Sequence, residues 1–155
     1  MGHSTHTYTT TTTWTGNTGT GTSHHTAYER AHEIAIEGKP VIAGSSDPAF
    51  RGDPARHNPE DLLVASLSAC HMLWYLALAA KAKVIVTGYV DTAEGTMEET
   101  SDGGGHFTSV VLRPVITLAP ESDRAAADAL HHRAHELCFV SQSVNFPVTI
   151  EATYA

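Results

Sequence analysis

The stretch "NPEDLLVASLSACHMLWYLALAA", residues 58 to 80, decides the fold. Asn58 is a good N-cap, Pro59 suits the first helical position, and Glu60 and Asp61 favour the positive end of the helix dipole. A helix therefore starts sharply at 58 and runs to about Lys81. Residues 62 to 80 contain no Asp, Glu, Lys or Arg, and that length could span a bilayer. Ser66, Ser68, Cys70 and His71 interrupt the run, however. A helix apolar all round also fits the centre of a soluble core. The expectation is a core helix and no membrane.

Outward from this helix, the chain reads as strands. "TYTTTTTWT", residues 7 to 15, is rich in β-branched Thr, and "GNTGTGTS" follows as a turn. "AYERAHEIAIEG" alternates, with Tyr28, Arg30, His32, Ile34 and Ile36 on one face. Residues 43 to 57 carry turn residues without periodicity, a long loop of the kind that is often functional. "KVIVTGYVDTAEGTMEE" and "HFTSVVLRPVITLA" flank a hairpin signal, "TSDGGG". Pro114 marks the second of these as an edge strand or a bulge. "SDRAAADALHHRAHELC" is a second helix, capped by Ser122 or Asp123, with Ala126, Leu130, Ala134 and Leu137 at helical spacing. "VNFPVTIEATYA" closes the chain as a strand.

The order β-β-(β)-α-β-β-α-β predicts an α+β fold with antiparallel sheet and two inserted helices, in one domain over 1–155. One small sheet and one amphipathic helix cover an all-apolar helix poorly, so a homodimer is expected. Net charge is −8 with His neutral, which argues against a nucleic-acid partner. Hydrophobic residues make up 41%, and the two cysteines are too few for a secreted disulfide scaffold. No signal-peptide pattern opens the sequence, and a cytoplasmic location is expected.

The two cysteines are Cys70, in the middle of the first helix, and Cys138, at the end of the second. A buried free Cys is commonly a small hydrophobe. In a reducing cytosol, paired cysteines are more often redox-active. A thiol peroxidase needs a thiolate, a cation or hydrogen-bond donors to stabilise it, and a second thiol to trap the sulfenic acid. Arg51 and Arg56 in the long loop are candidate cations. The histidines offer another reading, because His131, His135 and Cys138 share one helical face as metal-type ligands. A helix alone rarely completes a zinc site, so a polar face is favoured, and His71 is expected as a hydrogen-bonded core histidine.

"NPEDLLVASLSACHM" together with "ELCFVSQSV" resembles the OsmC/Ohr family of osmotically inducible and organic hydroperoxide resistance proteins, and its OsmC-like branch in particular. The resemblance covers nearly the whole chain. It implies an intertwined homodimer with the long helices at its centre, Cys70 as the peroxidatic cysteine and Cys138 as the resolving one. It also implies that Glu60 holds a catalytic arginine, best matched by Arg51, with Arg56 and Arg30 as alternatives. Many members carry Cys-Pro where this chain has Cys138-Phe139.

The function implied is reduction of organic or hydrogen peroxide in oxidative or osmotic stress defence. An external dithiol, for family members often a lipoyl type, restores the enzyme. No cofactor and no metal are implied. The rival expectation is a non-enzymatic protein of the same fold that binds a metal or an apolar ligand. Glu60 and Cys70 lie ten residues apart on one helix, about 15 Å along its axis and roughly 80° apart in azimuth. Glu60 is therefore expected to serve the Cys70 pocket of a partner chain.

Overall fold

The computed structural model describes residues 2–155, which fall into two compact units, Met1–Leu62 and Leu63–Ala155. The first unit is a three-stranded antiparallel sheet of β1 (Thr11–Trp14), β2 (His32–Ala35) and β3 (Ile42–Gly44) in that order. Both outer predicted strands are shorter than their sequence patterns. Trp14 Nε1–H donates to the Glu29 carbonyl at 2.8 Å, which turns the segment before β2 back along the end of β1. The alternation still holds beyond the ladder, with Tyr28, Arg30, His32, Ile34 and Ile36 half-buried and Glu29, Glu33 and Glu37 exposed.

Helix α1 (Pro59–Lys81) begins where expected, with Asn58 Oδ1 accepting from the Asp61 amide at 2.8 Å. It is long and apolar enough to cross a membrane by length and composition, with a mean hydropathy of 1.8. Only one stripe of it is buried: Leu67, His71, Tyr75 and Ala79, at four-residue spacing. The opposite stripe, Ala65, Ala69, Leu73 and Ala77, is exposed, with Leu73 at 62%.

The rest of the second unit corrects the strand boundaries. The run after α1 is two strands, β4 (Val86–Asp91) and β5 (Glu94–Glu99), and the run after the hairpin is β6 (Gly105–Leu112) and β7 (Pro114–Leu118). The long hairpin parts into two three-stranded sheets, β4-β7-β9 and β5-β6-β8, where β8 is Val148–Ile150 and β9 is Thr153–Tyr154. The cause sits at Asp91. Its carboxylate accepts the Arg113 amide at 2.7 Å and the Ser68 hydroxyl of α1 at 2.5 Å, so the Arg113 amide leaves the ladder. Pro114 is the first residue of a central strand, not an edge, because a proline at a strand start removes no ladder donor from within it. The hairpin pairs are antiparallel, but β8 and β9 join β6 and β7 in parallel. The fold is α+β with mixed sheets.

Helix α2 (Arg124–Leu137) is capped by Asp123, whose Oδ1 accepts from the Ala125 amide at 2.9 Å and the Ala126 amide at 3.4 Å. Its buried face is Ala127, His131 and Ala134, whereas Ala126 is exposed. Of the expected apolar set, Ala134 is buried and Leu130 packs against the core, whereas Ala126 gives way to Ala127, and His131 joins the buried face. Three clusters fill this unit, centred on Leu67, Val110 and Leu112, on Tyr75, Ile116 and Ala134, and on Ala79, Val84 and Ala127.

Candidate functional site

In the second unit, α1 and the end of α2 bring the two cysteines together. Both are free thiols; Cys70 is half-buried and Cys138 is 1% exposed. Burial pushes the Cys70 thiol up, and the neighbouring Cys138 thiol does so too, while the adjoining main chain of Val140 and Phe139 opposes the shift. The Cys138 sulfur in turn accepts from the Ser141 amide at 3.5 Å. Trp74, one turn along α1 from Cys70, meets the ring of Phe139 edge-on at 5.6 Å, and Phe139 is 72% exposed. The arrangement is a half-buried cysteine beside a buried one, next to the Trp74–Phe139 ring pair.

The histidines do something else. His71 Nε2 and His131 Nδ1 lie 3.0 Å apart in the core, and Tyr75 stacks on the His131 ring at 4.2 Å. Burial, then the proximity of His131 and His135, lowers His71 to about 4, and burial also lowers His131. His71 is thus the hydrogen-bonded core histidine expected. No cluster of three or more His, Cys, Asp or Glu that could hold a metal occurs among the described residues. The His131–His135–Cys138 face does not assemble as a ligand set.

The arginine candidates and Glu60 belong to the first unit. The loop after β3 is tied back on that strand, with the Ser45 amide donating to the His57 carbonyl at 2.9 Å and the His57 amide to that of Ala43 at 3.0 Å. Arg56 is held inside, its Nε on the Gly44 carbonyl and its Nη2 on that of His32, both at 2.9 Å. Arg30 binds the carbonyls of Tyr28 and His25 and lies over the Tyr28 ring. Arg51 differs. It follows a short 3-10 turn, Pro48–Phe50, in the left-handed region at φ 65°, and its exposed side chain makes no hydrogen bond or ion pair among the described residues. A cleft of about 430 Å³ lies beside it, lined also by Arg30, Glu29 and Asp53. Glu60 is half-buried, and its Oε2 has no partner among the described residues.

The contact between the rings of Trp74 and Phe139 was not anticipated from sequence, because it joins residues far apart in the chain that share no local pattern.

The OsmC-like protein family matches residues 52–153. An OsmC-like protein of unknown function from Vibrio cholerae is 32% identical, with 96% of this chain and 99% of that one covered and a TM-score of 0.81. An organic hydroperoxide resistance protein from Elizabethkingia anophelis is 22% identical over 97% of each chain, with a TM-score of 0.67. OhrB of Bacillus subtilis, another organic hydroperoxide resistance protein, is 21% identical over 96% of this chain and 98% of that one, with a TM-score of 0.59. No curated protein matches.

Proposed function

The chain belongs to the OsmC-like family, and from that premise we propose that it is a homodimeric, cysteine-based hydroperoxide reductase. The observation that carries this is the meeting of two free thiols, one half-buried and one buried, beside the Trp74–Phe139 ring pair. The names of the hydroperoxide resistance proteins that share the fold point the same way. The Cys70 thiolate attacks the terminal peroxide oxygen: an S–O bond forms, the O–O bond breaks, and the alkoxide leaves and takes a proton. The Cys138 sulfur then attacks the Cys70 sulfenic acid, the S–S bond forms, and water leaves. An external dithiol, in this reading of lipoyl type, reduces the disulfide. Trp74, Phe139 and the apolar surface around them suit an organic peroxide.

The thiolate needs a cation, and this is where a second copy enters. Of the three arginines, Arg51 alone is not held on carbonyl groups, and the Glu60 carboxylate has an unpartnered oxygen. In the proposed dimer, Glu60 of the other chain orients Arg51 towards Cys70. The exposed stripe Ala65, Ala69, Leu73 and Ala77 packs against its copy. The protein is proposed to act in the cytoplasm.

Free-thiol counting before and after one equivalent of cumene hydroperoxide tests the chemistry. Wild type is expected to lose both thiols per chain at neutral pH, whereas Cys138→Ser overoxidises at Cys70. Unchanged thiols would overturn the proposal. A rival role in binding metal predicts instead stoichiometric zinc in the purified protein, removed by changing His135.

A further inference from the structure

The two helices of the second unit meet through side chains that leave their register open. Tyr75 of α1 packs with Ala134 of α2, and one turn further along α1, Ala79 packs with Ala127. An alanine methyl offers no ridge or polar group to stop one helix turning or sliding on the other. Against that background one contact is directional. His71 Nε2 and His131 Nδ1 lie 3.0 Å apart with their ring planes 6° from parallel, so the N–H of one imidazole donates to the nitrogen of the other. Among the described residues it is the only hydrogen bond between α1 and α2. His71 is 1% exposed and His131 6%, and the Tyr75 ring lies against the His131 ring.

The bond is a poor device for stability alone. In either tautomer His71 Nδ1 and His131 Nε2 stay buried without a partner among the described residues, one a donor and the other an acceptor. An apolar pair of similar shape would carry no such cost. What the histidine pair supplies is orientation, because a buried bond fixes direction as well as distance. Its place gives that orientation a use. His71 directly follows Cys70 on α1. His131 and Cys138 are seven residues apart, about two turns, and so lie on one face. The Trp74–Phe139 contact brings the end of α2 to α1 one turn beyond Cys70.

We propose that the His71–His131 bond is a positioning clasp for the thiol pair, fixing α1 against α2 so that the Cys138 sulfur reaches that of Cys70. Both histidines are positioning residues, not catalytic ones. The clasp acts on the closing of the disulfide and leaves the first attack by Cys70 alone. It rests on the peroxidase reading for the use of that disulfide, but its effect on closing is measurable without peroxide.

One equivalent of dithiobis(nitrobenzoate) separates the two events. Cys70 attacks its disulfide, a mixed disulfide forms, and one nitrothiophenolate leaves. Cys138 then attacks the Cys70 sulfur, the protein disulfide forms, and the second nitrothiophenolate leaves. Combining His71→Leu with His131→Leu should slow the second release about tenfold and leave the first within about twofold of wild type. The reduction potential of the disulfide should rise by about 30 mV, the equivalent of tenfold. The urea midpoint of that variant should not fall, since both orphaned nitrogens are gone. His71→Gln with His131→Asn sets amide groups where the bonded ring nitrogens were and should restore closing to within about threefold. An unchanged second release in the leucine variant, or equal slowing of both releases, would overturn the clasp.

The wild-type protein gives a measurement that no folding defect can spoil. With isotope-labelled imidazoles, a scalar coupling across the hydrogen bond should join the two ring nitrogens in the dithiol form. Its absence would sink the proposal. A protein inert to cumene hydroperoxide whose leucine variant still closes slowly supports the clasp while removing the peroxidase reading.

Discussion

The two compact units are held together by different means. All the buried apolar side chains lie between Leu67 and Val148, in the second unit. In the first, the buried polar residues are Ser45 and Asn58, and hydrogen bonds do the joining. Asn17 Oδ1 accepts from the amides of Gly19 and Gly21 at 3.0 Å each, and Arg30 and Arg56 bind carbonyls. Among the described residues, the second unit holds the buried apolar side chains and the two cysteines, whereas the first holds buried polar residues, a half-buried face with Tyr28, Ile34 and Ile36, and the Arg51 side chain without a hydrogen bond or ion pair.

The largest effect should come from asking whether the two units of different chains cooperate. A Cys70→Ser chain paired with a Glu60→Ala chain leaves one complete pocket if Glu60 acts across the dimer. About half of wild-type peroxidase activity is then expected, because one pocket of two retains both groups. A nearly inactive mixed dimer would place Glu60 and Cys70 in the same chain's pocket and break the proposed exchange.

A second prediction concerns the interior of the second unit. An unfolded histidine titrates near 6.5, whereas His71 in the fold is held at about 4, chiefly by burial. Between those values the unfolded chain binds a proton that the folded chain refuses. Stability is therefore full above about pH 6.5 and falls with pH until about 4. The loss amounts to about 3 kcal/mol. Urea midpoints at neutral and at moderately acid pH should show it, and His71→Leu should show a smaller drop. An equal drop in that variant would assign the pH dependence elsewhere.

The smallest effect sharpens the contrast. Arg56→Ala removes both charged hydrogen bonds to β2 and β3 and should cost about 2 kcal/mol locally. Amide exchange should quicken across residues 32–44 and stay unchanged across 86–118. Faster exchange in both segments would show that the units do not open separately.

Much of this was legible in the sequence where one residue type answers to one requirement. Asn58-Pro59 announced α1, "TSDGGG" announced the β5–β6 hairpin, and the cysteine spacing together with the flanking motifs announced the thiol pair. What stayed hidden depends on meetings across the chain. Asp91 breaks the long hairpin because it meets Arg113 and Ser68, which no local pattern reveals. His131 turns inward because His71, sixty positions earlier, gives its ring nitrogen a partner. In α2, Leu130 and Ala134 pack as their spacing indicated, and Ala126 is the expected position that is exposed.

The parallel pairing of β8 and β9 has a consequence in time. Val110 pairs with Val148 and Val115 with Thr153, so each sheet of the second unit receives its third strand from near the C-terminal end. Until residues 148–154 have been synthesised, β6 and β7 are each an open edge, although Cys70 and Cys138 already exist. Such non-local closure is slow and leaves strands open to misdirected pairing. A growing chain is thus most prone to aggregate in the interval between completing α2 and completing β9. Peroxide stress in that interval would meet two thiols not yet fixed beside each other.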